Sequence, residues 1–294
     1  MNNILAIVIP AYKPQFFEEA LKSIAIQSCK NFNCYIFDDA ASEEIKEISK
    51  KFPQFKYSRF NENLGGKNLV AHWNRCLEEI SEEWIWLFSD DDIACENCVG
   101  EFYRKQEEYP NNSVFRFELD RLDEIGNDNW SSNGLPNQTS LEFLENRLKG
   151  HMRSAVPNHI FNKKRLFELN KGFVNFPLAW NSDDATWMLL GKGNEIIAIN
   201  NARVTWRISG HNITSKKDDF QEKAKADILF YEWCVKNFCI SIRFKWLFIK
   251  WFSKRKILLR CFWQPIIFFS ILAKVCRKIK NMLARVAIKG ESNE

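Results

Sequence analysis

Three consecutive carboxylates, Asp90, Asp91 and Asp92, close the apolar run Trp84-Ile85-Trp86-Leu87-Phe88 after a single serine, Ser89. Acids placed side by side repel one another, and burial raises the cost. A hard divalent cation, Mg2+ or Mn2+, removes that cost, because such ions take oxygen ligands, usually one or two carboxylates together with substrate phosphates and water. A cation held there bridges protein and diphosphate and neutralises charge that develops on a phosphate leaving group. The competing reading is helix capping, with Ser89 or Asp90 opening a helix near residues 93–107, but a cap needs only one acid.

The surrounding pattern says what positions these acids. Residues 4–10 (ILAIVIP), 33–39 (NCYIFDD), 56–60 (KYSRF) and 83–88 (EWIWLF) read as strands; residues 15–27, 42–52 and 69–80 read as the helices between them. Ser42 is placed to cap the second helix. Strands that alternate with helices imply βαβ units, an α/β fold and a mostly parallel sheet. Ligands of such sheets sit beyond the carboxyl ends of the strands. Pro10-Ala11-Tyr12, Asp38-Asp39, the segment 61–66 (NENLGG) and Ser89–Asp92 all fall there, each after its own strand. Past residue 100 the pattern predicts a strand over 114–120 and a loop-rich stretch over 123–140. A helix through Leu148 follows, capped by Thr139 or Ser140, then strands over 195–200 and 202–208 and a helix over 217–239.

The 294 residues suffice for one large α/β domain with an appendage, and 46% hydrophobic content with 25 Phe and 11 Trp supports a sizeable core. The first residues lack a basic region and read as a buried strand rather than an export signal. Nine cysteines without such a signal point to free thiols in a reducing compartment; Cys95-x-x-Cys98 has no suitably spaced second pair for zinc. Charge is divided unevenly. Residues 240–290 hold 13 of the 42 Lys and Arg and no Asp or Glu, whereas the residues before them hold 29 basic and 35 acidic side chains. That end mixes Trp, Phe and aliphatics with its cations and reads as two helices split near Gln264-Pro265. It suits a membrane interface, with aromatics buried and lysines snorkelling towards an anionic surface. Nucleic acid is not the expected partner.

Four segments in order, VIPAYK (8–13), YIFDDAAS (35–42), NENLGGKNLVAHWNRCLE (61–78) and WLFSDDDI (86–93), resemble the glycosyltransferase family 2 enzymes of the GT-A fold, in the branch that builds bacterial surface polysaccharides. The resemblance covers residues 4 to about 215. It implies a metal-dependent inverting transferase that uses a nucleotide-sugar, expected to be UDP-linked, and a GT-A domain over 1–215. The nucleotide-sugar half would span about 1–100 and the acceptor half about 101–215. A helical, membrane-associating segment over 216–294 would complete the chain. Pro10, Ala11 and Tyr12 match the loop that lines the nucleoside; Asp39, with Asp38 beside it, matches the acid that contacts the base. Asn63 and Gly65 match the turn that brackets nucleoside and phosphates, where glycine permits close approach or a positive φ. Asp90 and Asp91 match the metal motif, with Ser89 where many members have its first Asp. Asp91 is therefore expected as the direct ligand, Asp90 on ribose or metal, and Asp92 as support.

The same resemblance implies a general base from an acidic pair that opens a helix. Asp183 and Asp184 occupy that place in FPLAWNSDDATWMLL (176–190), with Ser182 available as cap and Asp184 expected as the base. Asp183 stands where Glu is usual, and acids in a first helical turn are favoured by the helix dipole in any case. Within TWRISGHNITS (205–215), Arg207 is expected on the diphosphate and His211 on the metal or diphosphate, although Ser209 stands where the family often has His. The segment 153–166 matches the acceptor pocket; His159 there reads as a packed residue, and Trp180 as either a sugar platform or core. The acceptor would be a glycan or lipid-linked hydroxyl, and the location the cytoplasmic face of the cell membrane. Two rivals are a non-catalytic GT-A-like membrane adaptor and a nucleotidyltransferase; the latter would carry a Gly-rich basic loop where this chain has PAYKP.

Overall fold

In the computed structural model of the chain, residues 4–123, 128–208 and 219–255 are described. The first apolar run forms β1 (Leu5–Ala11), and helix α1 (Phe17–Ala25) returns the chain to β2 (Asn33–Asp38). Helix α2 (Glu43–Ser49) leads to β3 (Lys56–Arg59), and α3 (Leu69–Glu78) leads to β4 (Trp84–Leu87). The four strands pair in parallel in the order β3-β2-β1-β4. β1 and β4 lie inside the sheet with both faces covered, which is why their sequences are unbroken apolar runs.

A helix does not follow the acids directly. Two residues, β5 (Ile93–Ala94), pair with a late strand, and helix α4 (Cys98–Glu108) starts only after Asn97. Ser89 and Asp90 therefore cap nothing, and the helix expected near 93–107 begins later. The chain continues through β6 (Val114–Leu122), β7 (Asp128–Ser131) and α5 (Ser140–Lys149). Thr139 caps α5: its hydroxyl accepts from the Glu142 amide while the Glu142 carboxylate accepts from the Thr139 amide. Then come β8 (His159–Asn162), α6 (Lys163–Asn170), α7 (Ser182–Leu190) and β9 (Ile197–Arg207).

β8 enters antiparallel between β4 and β6, and β9 runs parallel to β6 and antiparallel to β5. The sheet is thus parallel in its first half and mixed in its second. The two strands expected over 195–200 and 202–208 are one. Phe117 pairs with Ile199 and Glu118 with Arg203, so residues between them bulge out of register without ending the strand.

Aromatic side chains fill the layer where β4 meets its neighbours. The Trp86 ring lies 5.2 Å from Phe88 and 5.1 Å from Phe117, and its indole N–H donates to the Pro157 carbonyl at 2.6 Å. Trp84 packs edge-on against Phe102 and Phe115 at 5.4 and 5.5 Å. This packing fixes the strand whose end carries the three acids.

Residues 1–240 form one compact unit, which includes helix α8 (Phe220–Asn237); residues 241–294 form a second. In the second unit, α9 (Ile242–Lys254) buries Phe244, Phe248 and Phe252 on one face. On another it exposes Ile242, Trp246 and Ile249. The remainder of the basic end, including the expected break at Gln264-Pro265, lies outside the described residues. No helix among the described residues is long and apolar enough to cross a membrane.

Candidate active site

The three acids do not share one role. Asp90 turns back to the end of β1, where its Oδ2 accepts from the amides of Tyr12 at 2.9 Å and Lys13 at 2.8 Å. Asp92 turns the other way: its Oδ1 accepts from the Arg207 amide at 2.8 Å, at the end of β9. Its Oδ2 is buried and has no hydrogen-bond partner. Asp91 stands between them, with the Lys13 ammonium 3.8 Å from its carboxylate. All three are less than a tenth exposed. Burial, then the charge of Asp91, pushes Asp90 up to about 6, and the same two causes hold Asp92 well above the usual carboxylate range.

Arg207 is a strut of this loop. Its Nε donates to the Asp91 carbonyl at 3.0 Å, its guanidinium pairs with Glu19 at 2.7 Å, and its plane covers the Phe16 ring at 4.0 Å. Lys13 was not singled out in the sequence, although it sits in the quoted VIPAYK segment. His211 and Ser209 lie outside the described residues. Among the described residues no group of three His, Cys, Asp or Glu side chains converges as a ready metal cage. A hard cation takes oxygen donors of this kind, and Asp91 with the orphaned Asp92 oxygen would hold it here.

On the other side of β1, Asp38 and Asp39 also divide their work. Asp38 is fully buried and accepts from the Ala41 amide, the Tyr57 hydroxyl and Arg59 at 2.8, 2.6 and 3.0 Å. It anchors the β2–α2 turn. Asp39 holds the turn after β3: it accepts from the amides of Leu64 at 2.9 Å and Gly65 at 2.8 Å, and from Arg75. Arg75 lies over the Phe60 ring at 3.8 Å and donates to His72 Nδ1 at 3.0 Å. Burial holds His72 down at about 4, so it is a neutral acceptor there. Gly65 does not have a positive φ; it is needed because a Cβ there would meet Asp39 Oδ2 at 2.7 Å. The Asn63 side chain accepts from the Gly66 amide at 2.6 Å and closes the turn. Pro10 and Ala11 end β1, and Tyr12 after them is half exposed.

The second acidic pair sits at the start of α7, after a strained approach. Leu178, Ala179 and Asn181 all have φ between 55° and 62°, rare for residues with side chains. Helix α8 holds that approach: Asp227 accepts from the Trp180 indole and the Asn181 amide group, both at 2.9 Å. Trp180 is thus tethered while remaining partly exposed. Asn181, not Ser182, is the N-cap; the Ser182 hydroxyl accepts from the Phe176 amide instead. Asp184 is buried, and Arg147 of α5 grips its Oδ2 through Nε at 2.8 Å and a terminal nitrogen at 2.7 Å. Its Oδ1 has no partner. Burial, and then the neighbouring Asp184 charge, pushes Asp183 up to about 7. Nothing in the sequence links Arg147 to an acid 37 positions away. His159 is the packed residue expected, stacked on Trp187 at 4.5 Å.

The family model for glycosyl transferase family 2 matches residues 6–168, more than half of the chain, and the chain belongs to that family. An uncharacterised glycosyltransferase of Rickettsia conorii is 34% identical over 85 residues, which span 25% of this chain and only 14% of that protein. Among solved structures, residues 1–349 of S. aureus TarS in complex with UDP-GlcNAc superpose with a TM-score of 0.62 at 18% identity. That match covers 85% of this chain and 72% of the other. The same TarS fragment with UDP gives 0.56 at 17% identity over the same shares. At such identities the likeness shows the fold, which is the GT-A fold.

The raised Asp183 carboxyl has a consequence for stability. Its folded value of about 7 lies above that of an unfolded aspartate, so the native state keeps a proton the unfolded chain has released. Native stability is then lost progressively as pH rises from about 4 to about 7. Asp183→Asn removes this loss. Urea midpoints at pH 4.5, 6 and 7.5 should show a variant-minus-wild-type difference that grows with pH; a difference constant across that window contradicts the assignment.

Proposed function

We propose that this glycosyltransferase is an inverting, cation-assisted enzyme that moves a sugar from a nucleotide-sugar, with UDP the favoured carrier, to a hydroxyl of a glycan or lipid-linked acceptor in surface-polysaccharide synthesis. The observation that carries the reading is the buried Asp90-Asp91-Asp92 loop, whose flanking carboxyls are pushed up by burial and by the charge of Asp91, beside one partly exposed lysine. A fold that tolerates this repulsion gains when a cation and a diphosphate arrive. The complexes of TarS with UDP-GlcNAc and UDP support a nucleotide-sugar donor.

In this reading the donor binds among Tyr12, the Asn63–Gly66 turn and the acid loop. Asp39, fixed by the Leu64 and Gly65 amides and Arg75, sets the turn against the nucleoside rather than standing alone as a contact. A bound Mg2+ or Mn2+, with Asp91 and Asp92 as its protein ligands and His211 within reach in sequence, would supply charge neutralisation at the leaving diphosphate. Lys13 adds a positive charge on the same side. Isothermal titration of UDP with and without Mn2+ should show metal-dependent binding in the wild type and at least a tenfold loss in Asp91→Ala. Equal binding in both proteins, with or without metal, sinks the proposal.

The acceptor proton goes to the Asp183–Asp184 pair. Asp184 is placed first, because Arg147 locks one oxygen and leaves Oδ1 with no partner. The value of about 7 for Asp183 favours a second reading, in which Asp183 takes the proton and the Arg147-bound Asp184 keeps it raised. Asp184→Asn should cut transfer by a factor of about 10² to 10⁴ and leave UDP binding intact. If Asp183→Asn shows that loss and Asp184→Asn does not, the second reading holds. Wild-type transfer by both variants removes the pair from the mechanism.

The basic end is proposed to dock on the inner face of an anionic membrane. Ile242, Trp246 and Ile249 form an exposed stripe at helical spacing on α9, flanked by Arg243, Lys245 and Lys250. Removal of residues 241–294 should abolish co-sedimentation with vesicles that contain phosphatidylglycerol. Sedimentation equal to that of the full chain refutes the membrane role.

A further inference from the structure

The second half of the chain carries more positive charge near the acidic pair than that pair neutralises. Arg147 is matched by Asp184. Arg121, near the end of β6, and Arg153, just after the Met152 carbonyl that accepts from Arg147, are not matched: among the described residues no carboxylate pairs with either. The acids close by are committed elsewhere. Asp120 pairs with Arg203, and Glu118 accepts from the Ser132 hydroxyl and the Gly134 amide at 2.6 and 2.7 Å.

Arg121 and Arg153 converge. Arg153 covers the Trp130 ring at 5.3 Å, and Trp130 is the register partner of Arg121 across the β6–β7 pair. The Arg121 Nε is buried with no hydrogen-bond partner, and so is the hydroxyl of Ser154, next to Arg153. Burial, then the charges of Arg121 and Arg147, pulls Arg153 below the ordinary arginine range. Both side chains are only partly covered and so open to solvent. Two guanidiniums that repel each other, with buried donors unspent and an aromatic floor, need an anion.

We propose that Arg121 and Arg153, with Ser154 beside them, form a subsite for a phosphate or carboxylate group on the acceptor, next to the hydroxyl that is glycosylated. The subsite rests on the transferase reading above, and it narrows the acceptor to an anionic glycan. It is assigned to the acceptor because Arg153 directly follows Met152, whose carbonyl accepts from Arg147, the partner of Asp184.

The test uses the full chain and small probes: glucose 6-phosphate and methyl β-glucuronide as anions, and methyl β-glucoside as the neutral match. Binding is read by ligand-observed NMR titration in wild type, Arg121→Gln, Arg153→Gln and Arg153→Lys, with UDP affinity and thermal midpoint measured on each. Wild type should prefer the anionic probes by about tenfold or more. Each Gln variant should lose that preference, Arg153→Lys should retain part of it, and UDP affinity should stay within about twofold. A wild type with no preference overturns the subsite, as does a preference that survives in both Gln variants. Loss of UDP affinity in parallel assigns the arginines to the donor diphosphate and overturns the acceptor role. Failure of the transferase reading is seen separately, as absence of UDP binding in a wild type that still prefers the anions.

Discussion

The structure depends on a buried carboxylate that ties two strand ends together. Asp90 sits at the tip of β4 and receives two backbone amides from the tip of β1. Neighbouring central strands would otherwise end in independent loops. A carboxylate that accepts two amides is held in place by charge-assisted bonds, which are stronger and shorter than neutral ones. Asp92 does the same towards β9 through the Arg207 amide, and Arg207 in turn reaches back to the Asp91 carbonyl and to Glu19 on α1. Three loops from distant parts of the chain are thereby locked about Asp91. In the run of three acids the outer members build the frame, and the central member meets the Lys13 ammonium.

The same division recurs at each acidic pair. At the end of β2, Asp38 is consumed by the turn it anchors, and Asp39, also buried, organises the Leu64–Gly65 backbone with Arg75. At the start of α7, Asp184 is gripped by Arg147 and Asp183 is left with a raised carboxyl. In each case a fully buried acid with fixed partners sets the position and electrostatics of a neighbour. An acid whose partners are all satisfied orients its surroundings, whereas one with a spare oxygen or a proton held near neutrality can respond to a ligand.

Much of this was legible in the sequence, and the limits have physical causes. The runs 4–10 and 83–88 are apolar on both faces because β1 and β4 are covered on both faces, so they read as strands. The acids stand where strand ends must place them. β8 was not legible: HIFN is short, begins with a buried His stacked on Trp187, and owes its strand to edges offered by β4 and β6 rather than to its own pattern. The two strands expected over 195–200 and 202–208 are one because a bulge absorbs the residues between them. Lys13, Arg75 and Arg147 were missed for a common reason. Each acts on an acid brought near by the fold, and no local periodicity records a partner 36, 37 or 78 residues away.

The strained approach to α7 shows how the second half of the fold serves the first. Three left-handed residues within four positions cost on the order of 1–3 kcal/mol each, and such strain persists only where surroundings over-determine it. Here the surroundings are α8, whose Asp227 receives both Trp180 and Asn181, and the Ser182 hydroxyl, which receives the Phe176 amide. An ordinary helical entry would place the first turn of α7 elsewhere relative to Arg147 and to the segment 152–155. The left-handed turn instead brings Asp183 and Asp184 under the influence of Arg147 on α5. Because α8 supplies the tether, the compact unit runs on to residue 240, and the position of the acidic pair depends on a helix that bears no acid of the pair itself.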